Sequence, residues 1–227
     1  FDFICKSGMI PSGWKVARIQ PVPKKGDLTK ISNHRPISLT EVIRKLFESI
    51  LIDPLVGLLE PLSVEQGGFR RKRGTLDQIA ALQEWICQAK SVKLGRYMAF
   101  LDIEAAYDQV DRTILWEKCK SKSVPSNMIN VLKALFDHNE AFLAINGHST
   151  ERFKINCGVL QGSLLSPLLY SVFIEDIVDE INQLKLKDAM SLGGRPYRIL
   201  LYADDIVLMA NSRLALQRML DTCERHA

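Results

Sequence analysis

Two adjacent carboxylates, Asp204 and Asp205, sit between two short apolar runs near the C-terminal end of the chain. Residues 199–202 precede them and residues 206–210 follow, and both runs are rich in Ile, Leu and Val, which favours buried strands. The Ala-Asp-Asp between the runs is therefore predicted to form a hairpin turn. Two ionised carboxylates side by side repel each other, so a turn that fixes such a pair suggests a divalent cation. The alternative is an ordinary acidic turn whose Asp side chains accept backbone N–H groups.

A third carboxylate, Asp102, stands where the apolar run of residues 97–101 ends. The end of a buried strand is a natural rim for an active site, although an Asp at this place could also be the N-cap of a helix. With Asp204 and Asp205, it predicts a three-carboxylate metal site. Hard cations such as Mg²⁺ bind carboxylates together with substrate phosphates, and two such ions about 4 Å apart can activate an attacking oxygen and neutralise a leaving one.

A glycine-containing loop, residues 157–167, lies between these acidic segments. Its two glycines flank an apolar stretch ending in Gln161 and permit close backbone approach. Ser166 and Pro167 predict the start of a helix, whose N-terminus can face an anion. By itself such a loop does not identify a ligand.

The elements that must position these residues predict an α+β fold, because helices mix with hairpins instead of alternating regularly with single strands. Ser38–Glu41 and Thr75–Gln78 match the capping-box pattern at the start of two helices, and Pro54 is expected to end or kink the first of them. In that first helix, apolar residues at helical spacing predict the buried face: Val42, Ile43, Leu46, Phe47, Ile50 and Leu51. The later helices are predicted at residues 75–92, 111–122, 126–138, 166–184 and 213–225. A hairpin around Asn146-Gly147 is predicted to join strands at residues 141–145 and 152–155.

Composition indicates a globular chain of 227 residues, with 47% hydrophobic and 25% charged residues. No apolar run approaches 18 residues and the N-terminus has no signal-peptide organisation, so no membrane partner is expected. Five cysteines without a Cys-x-x-Cys pattern favour reduced thiols in an intracellular protein.

The charges are distributed unevenly along the chain. Residues 1–100 contain 16 Lys and Arg against 9 Asp and Glu, whereas residues 101–227 contain 14 against 17. This distribution suits a protein whose basic half binds a polyanion and whose acidic half carries out metal-dependent chemistry.

Three further blocks complete a recognisable order. They are Trp14-Lys15 with Ile19-Gln-Pro-Val-Pro-Lys-Lys-Gly26, then His34-Arg-Pro-Ile-Ser-Leu39, then Gln66-Gly-Gly-Phe-Arg-Arg-Lys-Arg-Gly-Thr-Leu-Asp-Gln78. With the acidic segments and the glycine-containing loop, they resemble the reverse transcriptase domain of non-LTR retrotransposons and their group II intron relatives. The resemblance runs from about residue 11 to residue 211.

The resemblance implies a right-hand polymerase with fingers and palm. Residues 1–95 are expected to form a fingers-like part, and residues 96–227 a palm in which an antiparallel sheet packs on helices, with the helices at about 112–140 interleaving. Only 22 residues follow Asp205, so the chain is expected to stop before the thumb and to bind primer and template poorly alone.

The resemblance also assigns metal ligands. Asp102 and Asp204 match the principal carboxylates, Asp205 a less direct one, and the carbonyl of Ile103 a further ligand. The implied cofactor is a pair of Mg²⁺ ions, with Mn²⁺ as a possible substitute.

Three residues match positions that contact the sugar and base of the incoming nucleotide. Tyr107 matches a steric gate, where an aromatic ring rejects a ribose 2′-hydroxyl; the alternative is a core tyrosine. Gln161 and Gly162 match the loop that lines the nucleotide.

Basic residues match the positions that hold the triphosphate. Arg35 and Lys24 are the candidates, although Lys25 could take the place of Lys24. The basic run of residues 70–73 is either a solvated surface or a phosphate contact, with Arg73 its foremost candidate.

The implied function is an RNA-directed DNA polymerase that uses an RNA template, a DNA primer and dNTPs, and acts in the nucleus if the host is a eukaryote. An RNA-templated RNA polymerase is one alternative, against which the bulky Tyr107 argues. The other is a catalytically incompetent fragment or an RNA-binding domain like that of an intron maturase.

Overall fold

The computed structural model describes residues 1–91, 95–145, 147–186, 191–192 and 195–226. Its helices are α1 (Asp2–Ser7), α2 (Val42–Leu59), α3 (Thr75–Ser91), α4 (Arg112–Ser121), α5 (Ser126–Phe136), α6 (Ser166–Phe173), α7 (Asp176–Gln183) and α8 (Arg213–His226). Its strands are β1 (Val16–Pro23), β2 (His34–Leu39), β3 (Tyr97–Leu101), β4 (Asn139–Ile145), β5 (His148–Ser149), β6 (Phe153–Ile155), β7 (Ser191–Leu192), β8 (Arg195–Pro196), β9 (Ile199–Tyr202) and β10 (Asp205–Ala210). Among the helices in the described ranges, none is long and apolar enough to cross a membrane.

The chain divides into two compact units. The first unit comprises residues 1–60 and 105–172, and the second comprises residues 61–104 and 173–227. These boundaries differ from the one expected after residue 95, whereas the helices at about 112–140, which were expected to interleave, lie in the first unit with residues 1–60. The assignment of residues 1–95 to fingers and of residues 96–227 to palm stays a prediction.

A mixed sheet organises the first unit. Its strand order is β2-β1-β4-β5, with β6 also paired to β4. β1 runs parallel to β4 and antiparallel to β2, where Val22 lies opposite Arg35. The sheet therefore carries residues from the two N-terminal sequence blocks on neighbouring strands.

A buried ion pair lies between this sheet and α2. Arg44 Nε donates to Glu48 Oε1 at 2.8 Å, and both side chains are fully buried. The same guanidinium donates to the carbonyl of Trp14 at 2.7 Å and to Asn139 Oδ1 at 3.2 Å. Because buried charges are tolerated only when they are paired and hydrogen-bonded, this network constrains how α2 can rotate.

The ion pair changes which face of α2 is buried. The apolar spacing predicted a buried face that included Val42, Leu46 and Ile50, but these residues are 78%, 55% and 52% exposed. Phe47 and Leu51 on the predicted face are buried, together with the charged pair. The helix turns so that Arg44 and Glu48 reach their partners, because an unpaired buried charge would cost far more than several exposed apolar side chains.

The predicted boundaries of α2 were wrong in two respects. Ser38 belongs to β2 and the helix begins at Val42, with Glu41 as an N-cap that makes no side-chain hydrogen bond, so the predicted capping box does not form. Pro54 does not end the helix, which continues to Leu59, and the alternative expectation of a kink at Pro54 stays a prediction. Tertiary packing of Leu55 and Leu59, both fully buried, holds the last turn together.

An antiparallel sheet of the order β3-β10-β9 organises the second unit. Trp85 and Ala89 of α3 pack on Leu200 and Met209 of this sheet in a buried cluster. The predicted antiparallel sheet packed on helices is therefore confirmed, as is the α+β class.

The long helix predicted at residues 166–184 is two helices. α6 ends at Phe173 and α7 begins at Asp176. Glu175, between them, accepts hydrogen bonds from the backbone N–H and the hydroxyl of Ser63 at 2.6 and 2.7 Å. The break also coincides with the boundary between the units, which apolar periodicity does not reveal.

The remaining predicted helices and strands match the structure closely, but the second capping box does not form, because Gln78 donates to the carbonyl of Glu65 and Asp77 accepts from the N–H of Gly74 instead. The helices at 75–92, 111–122, 126–138 and 213–225 correspond to α3, α4, α5 and α8, and the strand at 97–101 is β3. The strands predicted at 141–145 and 152–155 correspond to β4 and β6, which pair antiparallel, and the short β5 between them also pairs with β4. The Asn-Gly turn expected between them lies partly outside the described residues, because Asn146 is not among them.

The ion pair of α2 generates a prediction about stability. Arg44→Met or Glu48→Met alone should lower the free energy of unfolding by about 3–5 kcal/mol, because each leaves an unpaired buried charge. The double variant should lose much less than the sum. Urea unfolding measures these differences. Asp2→Asn, which removes the exposed Asp2–Lys6 pair, is the control and should change stability little; a Glu48→Met variant as stable as this control would contradict the assignment.

Candidate active site

A two-residue turn joins β9 to β10 and carries the Asp-Asp pair. Tyr202 pairs with Asp205, so Ala203 and Asp204 form the turn and Asp205 already belongs to β10. Ala203 has a φ of +60°, in the left-handed region. For a residue with a Cβ this conformation costs roughly 1–2 kcal/mol, so contacts around the turn must hold it.

The register of β3 places Asp102 at the same end of this sheet. β3 runs antiparallel to β10, and Leu101 opposite Ile206 is their last pair. Asp102 and Asp205 are the next residues outward on the two strands, and Asp204 lies in the adjoining turn. All three carboxylates among the predicted metal ligands therefore lie at one end of one sheet, as expected for strand-end carboxylates. Asp102 and Asp205 are exposed, and Asp204 is partly buried.

The alternative role of Asp102, as a helix N-cap, does not fit the described part of the chain. Turns occupy residues 104–109, and the next helix, α4, begins only at Arg112. Its N-cap is Asp111, whose carboxylate accepts from the backbone N–H of Thr113 at 2.6 Å and of Ile114 at 3.2 Å.

The donor chemistry at this sheet end suits a hard divalent cation. Carboxylate oxygens are the ligands that Mg²⁺ prefers, and a backbone carbonyl such as that of Ile103 is an oxygen donor as well. Within the residues described, no three His, Cys, Asp or Glu side chains converge on one point where they could hold a metal ion. Binding would therefore have to draw mutually repelling carboxylates together by side-chain rotation. The metal site stays a prediction.

In the first unit, two of the predicted nucleotide-binding residues, Gln161 and Lys24, lie near Asp108. Gln161 Nε2 donates to Asp108 Oδ2 at 3.1 Å. The Asp108 side chain reaches the surface, but crowding of its carboxyl group by protein atoms raises its pKa above the ordinary value. The hydrogen bond from Gln161 and the nearby positive charge of Lys24 act in the opposite direction, because both stabilise the ionised form.

Asp108 is a residue to which the sequence analysis assigned no role. It directly follows Tyr107 in the acidic segment, which was the available signal. Its partner Gln161 is more than fifty residues away in sequence, so the contact could not be read from spacing.

Close backbone contacts join the Tyr107 segment to the glycine-containing loop. The N–H of Gly158 donates to the carbonyl of Val110 at 2.9 Å, and the N–H of Val159 donates to the carbonyl of Tyr107 at 2.7 Å. Gly158 has a φ of +78°, and a Cβ there would lie 2.6 Å from the carbonyl oxygen of Asp108. A glycine is therefore required at this crossing.

The same loop is tied to β2 and α2 beyond Gln161. The N–H of Ser38 donates to the carbonyl of Gln161 at 2.6 Å. Glu48 Oε2, in the buried ion pair, accepts from Ser163 Oγ at 2.9 Å and from the N–H of Leu164 at 2.8 Å. The ion pair of α2 thus fixes the loop that carries Gln161.

The ring of Tyr107 stacks on Tyr170, with centroids 5.0 Å apart and planes inclined by 11°. Tyr170 is buried, whereas Tyr107 is only partly so. The stack holds the Tyr107 ring in place and leaves part of it accessible. Both interpretations of Tyr107, steric gate and core tyrosine, are compatible with this arrangement, and the gate stays a prediction.

The predicted phosphate-binding residues fall into two groups. Lys24 and Arg35 are exposed in the first unit, near the connection between β1 and β2. Arg73 belongs to the second unit, where its Nη2 donates to the carbonyl of Val64. Arg70 likewise donates to the carbonyl of Ser63 at 2.8 Å. These two arginines are thus engaged within their own unit, and their contact with phosphate stays a prediction.

Comparison with known sequences identifies similar proteins. A family model described as reverse transcriptase (RNA-dependent DNA polymerase) matches residues 22–227. The chain is 28% identical over 222 residues to the RNA-directed DNA polymerase from mobile element jockey of Drosophila melanogaster, a match that covers 95% of this chain and 23% of that protein. It is 32% identical over 219 residues to the probable RNA-directed DNA polymerase from transposon BS of the same species, covering 93% and 23%.

A further relative is the Pol polyprotein from the type-1 retrotransposable element R2 of Popillia japonica, 26% identical over 220 residues, covering 95% of this chain and 30% of that protein. The chain therefore spans between about a quarter and a third of the length of these relatives.

Solved structures with a similar fold include two telomerases. Apo telomerase from Candida tropicalis, truncated from its C-terminal domain, has a TM-score of 0.62 at 15% identity, and the match covers 97% of this chain and 49% of that one. Telomerase from Candida albicans in complex with a fragment of telomeric RNA has a TM-score of 0.61 at 11% identity, covering 94% and 40%. At these identities the likeness concerns the fold alone.

Gly162 generates a prediction about the glycine-containing loop. It has a φ of +127°, and a Cβ would lie 2.4 Å from the carbonyl oxygen of Ser38. Gly162→Ala should therefore lower the free energy of unfolding by about 1–3 kcal/mol, measured by urea titration. Gly57→Ala in α2 is the matched control, because a Cβ there meets no atom within 4 Å, and it should be neutral or stabilising. Equal changes in the free energy of unfolding for the two substitutions would contradict the close approach of Gly162 to the carbonyl of Ser38.

Proposed function

Because the chain belongs to the reverse transcriptase family, with relatives among non-LTR retrotransposons, we propose that it is the polymerase core of such an element's RNA-directed DNA polymerase. The observation that carries this proposal is the register of β3 and β10, which brings Asp102, Asp204 and Asp205 to one end of the sheet. Accessible carboxylates on strand ends support a site that binds substrate phosphates through divalent cations.

The proposed reaction is nucleotidyl transfer templated by RNA. A DNA primer 3′-hydroxyl attacks the α-phosphate of a dNTP, the new phosphodiester forms, and pyrophosphate leaves. Asp102 and Asp204 are the principal ligands for two Mg²⁺ ions, and Asp205 and the carbonyl of Ile103 assist them. When bound, the cations would lower the pKa of the attacking hydroxyl and neutralise charge on the phosphates.

The proposed nucleotide contacts use residues of different chemistry. Arg35 offers a planar guanidinium for two parallel hydrogen bonds to a phosphate, and Lys24 offers a point charge. Gln161 and Gly162 line the sugar and base, with the Gln161 amide oriented by Asp108. Arg73 contributes a further phosphate contact.

Tyr107 is proposed to discriminate against ribonucleotides. Stacking on the buried Tyr170 supports this role, because a ring that cannot move aside can exclude a 2′-hydroxyl by its position. A rigid aromatic wall needs no hydrogen bond to the substrate in order to select against the larger sugar.

The proposed place of action is the nucleus. The relatives named above come from insects, whose chromosomal DNA is nuclear, and an enzyme that copies an element into that DNA would act there.

A charge-removing substitution tests the carboxylates. In the full-length protein, Asp204→Asn should lower kcat for primer extension on an RNA template by more than about a hundredfold, since even partners that only orient metal ligands are worth about 10–100-fold. Asp221→Asn is the control, because Asp221 lies on α8 with Gln217 as its hydrogen-bond partner. Near-normal extension by Asp204→Asn would contradict the proposal. RNA binding by the wild type without any Mg²⁺-dependent extension would favour a non-catalytic RNA-binding domain instead.

Sugar selectivity tests Tyr107. Tyr107→Val should raise the ratio of rNTP to dNTP incorporation at least about tenfold, because it opens space beside C2′, whereas Tyr107→Phe keeps the ring and should keep the selectivity. Single-nucleotide incorporation kinetics measure the ratio of kcat/KM values. Unchanged selectivity of Tyr107→Val would assign this ring to the core, and equal use of both nucleotides by the wild type would remove the case for a steric gate.

A further inference from the structure

The side chain of Gln66 forms hydrogen bonds with the backbone of the turn that joins β9 to β10. It is fully buried, and its Oε1 accepts from the N–H of Ala203 at 3.1 Å and from the N–H of Gly68 at 2.8 Å. Its Nε2 faces the carbonyl oxygen of Ala203 at 3.4 Å. A single amide therefore engages both polar backbone groups of Ala203, the residue immediately before Asp204.

Ala203 is the residue of the turn that most needs such support. Its left-handed conformation is unfavourable for a side chain with a Cβ, and in an isolated hairpin the turn would relax to other conformations. Relaxation would rotate the following peptide and redirect the Asp204 and Asp205 side chains. Two hydrogen bonds from one buried amide penalise that rotation, because it would leave buried polar groups unpaired.

The segment that carries Gln66 also pairs with β9. The N–H of Leu201 donates to the carbonyl of Glu65 at 2.9 Å, and the N–H of Gly67 donates to the carbonyl of Leu201 at 2.8 Å. A Cβ on Gly68 would lie 2.3 Å from the backbone nitrogen of Ala203. The segment thus lies directly against the turn, and only a glycine allows this approach.

Side chains from other parts of the second unit hold this segment. Glu175 binds Ser63, Gln78 Nε2 donates to the carbonyl of Glu65 at 3.1 Å, and Asn182 lies 3.3 Å from the Glu65 carboxylate. Arg70 and Arg73, which the sequence suggested as phosphate contacts, donate to carbonyls of the same segment. Gln66 therefore contacts the turn from a well-anchored segment.

We propose that Gln66 is a positioning residue for the catalytic carboxylates: by holding Ala203 in its left-handed conformation, it directs Asp204 and Asp205 toward the divalent cations. This inference rests on the proposed polymerase function for its kinetic consequence, but the contact itself can be tested without activity. In the proposed role, Gln66 touches neither substrate nor metal and acts only through the turn.

The test compares two substitutions of glutamine by methionine in the full-length protein. Gln66→Met keeps the volume and removes the hydrogen bonds to Ala203. Gln78→Met is the matched control, because it removes a hydrogen bond to the same segment and leaves the contacts with the turn. RNA-templated primer extension gives kcat, the KM for dNTP and the Mg²⁺ concentration for half-maximal rate. Hydrogen exchange of the backbone amides at residues 201–206 reports the turn directly.

We expect Gln66→Met to change kcat and the Mg²⁺ dependence but to leave the KM for dNTP nearly unchanged. Gln66→Met should lower kcat at least about tenfold and raise the half-maximal Mg²⁺ concentration severalfold, with the KM for dNTP changed by less than about threefold. The Ala203 amide should exchange faster than in the wild type. Gln78→Met should stay within about threefold of the wild type in every kinetic readout. A loss of stability alone would not separate kcat and Mg²⁺ dependence from KM in this way.

Two results would overturn the proposal: a Gln66→Met protein with wild-type kcat and Mg²⁺ dependence, or an Ala203 amide whose exchange is unchanged. If Gln66→Met does not fold, Gly68→Ala replaces it, because the added methyl group would lie against the backbone nitrogen of Ala203. This variant should likewise lower kcat and raise the half-maximal Mg²⁺ concentration with little change in the KM for dNTP. A wild type that extends no primer while Ala203 exchange still depends on Gln66 would reject the polymerase function and uphold the contact.

Discussion

The backbone register of the β3-β10-β9 sheet is the constraint on which the second unit depends, because it brings three like-charged carboxylates to one end of the sheet. The antiparallel register supplies Asp102 and Asp205, and a two-residue turn supplies Asp204. That turn depends on Ala203 in an unfavourable conformation, bonded through its backbone to the buried amide of Gln66. Repulsion among the carboxylates and strain in the turn both oppose this arrangement, so the packed core beneath the sheet and the anchored segment beside it must stabilise it.

The first unit uses buried polar groups in a comparable way. The Arg44–Glu48 pair determines which face of α2 is buried and extends one carboxylate oxygen to the loop after Gln161. In both units a buried polar side chain holds a loop that carries predicted functional residues. Such groups are stable only when their hydrogen bonds are satisfied, which makes the loop geometry well defined.

Local patterns in the sequence were sufficient to predict the strands and the turn that bear the carboxylates. Strand ends, the hairpin turn and most helix limits follow from apolar runs and Gly, Pro and Asp signals, and the strand-end location of Asp102 followed from the same patterns. The buried face of α2 did not, because apolar periodicity counts side chains without regard to an ion pair whose partners, Asn139 and Ser163, are about a hundred residues away. The contacts of Gln66 with Ala203 and of Asp108 with Gln161 were missed for the same reason, since both join distant segments.

The proposed activity requires that the carboxylates at this sheet end bind divalent cations. Anomalous diffraction at the manganese edge, from crystals of the full-length protein grown with Mn²⁺, primer–template and a dNTP, tests it most directly. We expect anomalous peaks within coordination distance of Asp102 and Asp204, roughly 2 Å from their carboxylate oxygens. Ordered nucleotide with no peak at these carboxylates, or with manganese bound only elsewhere, would contradict it.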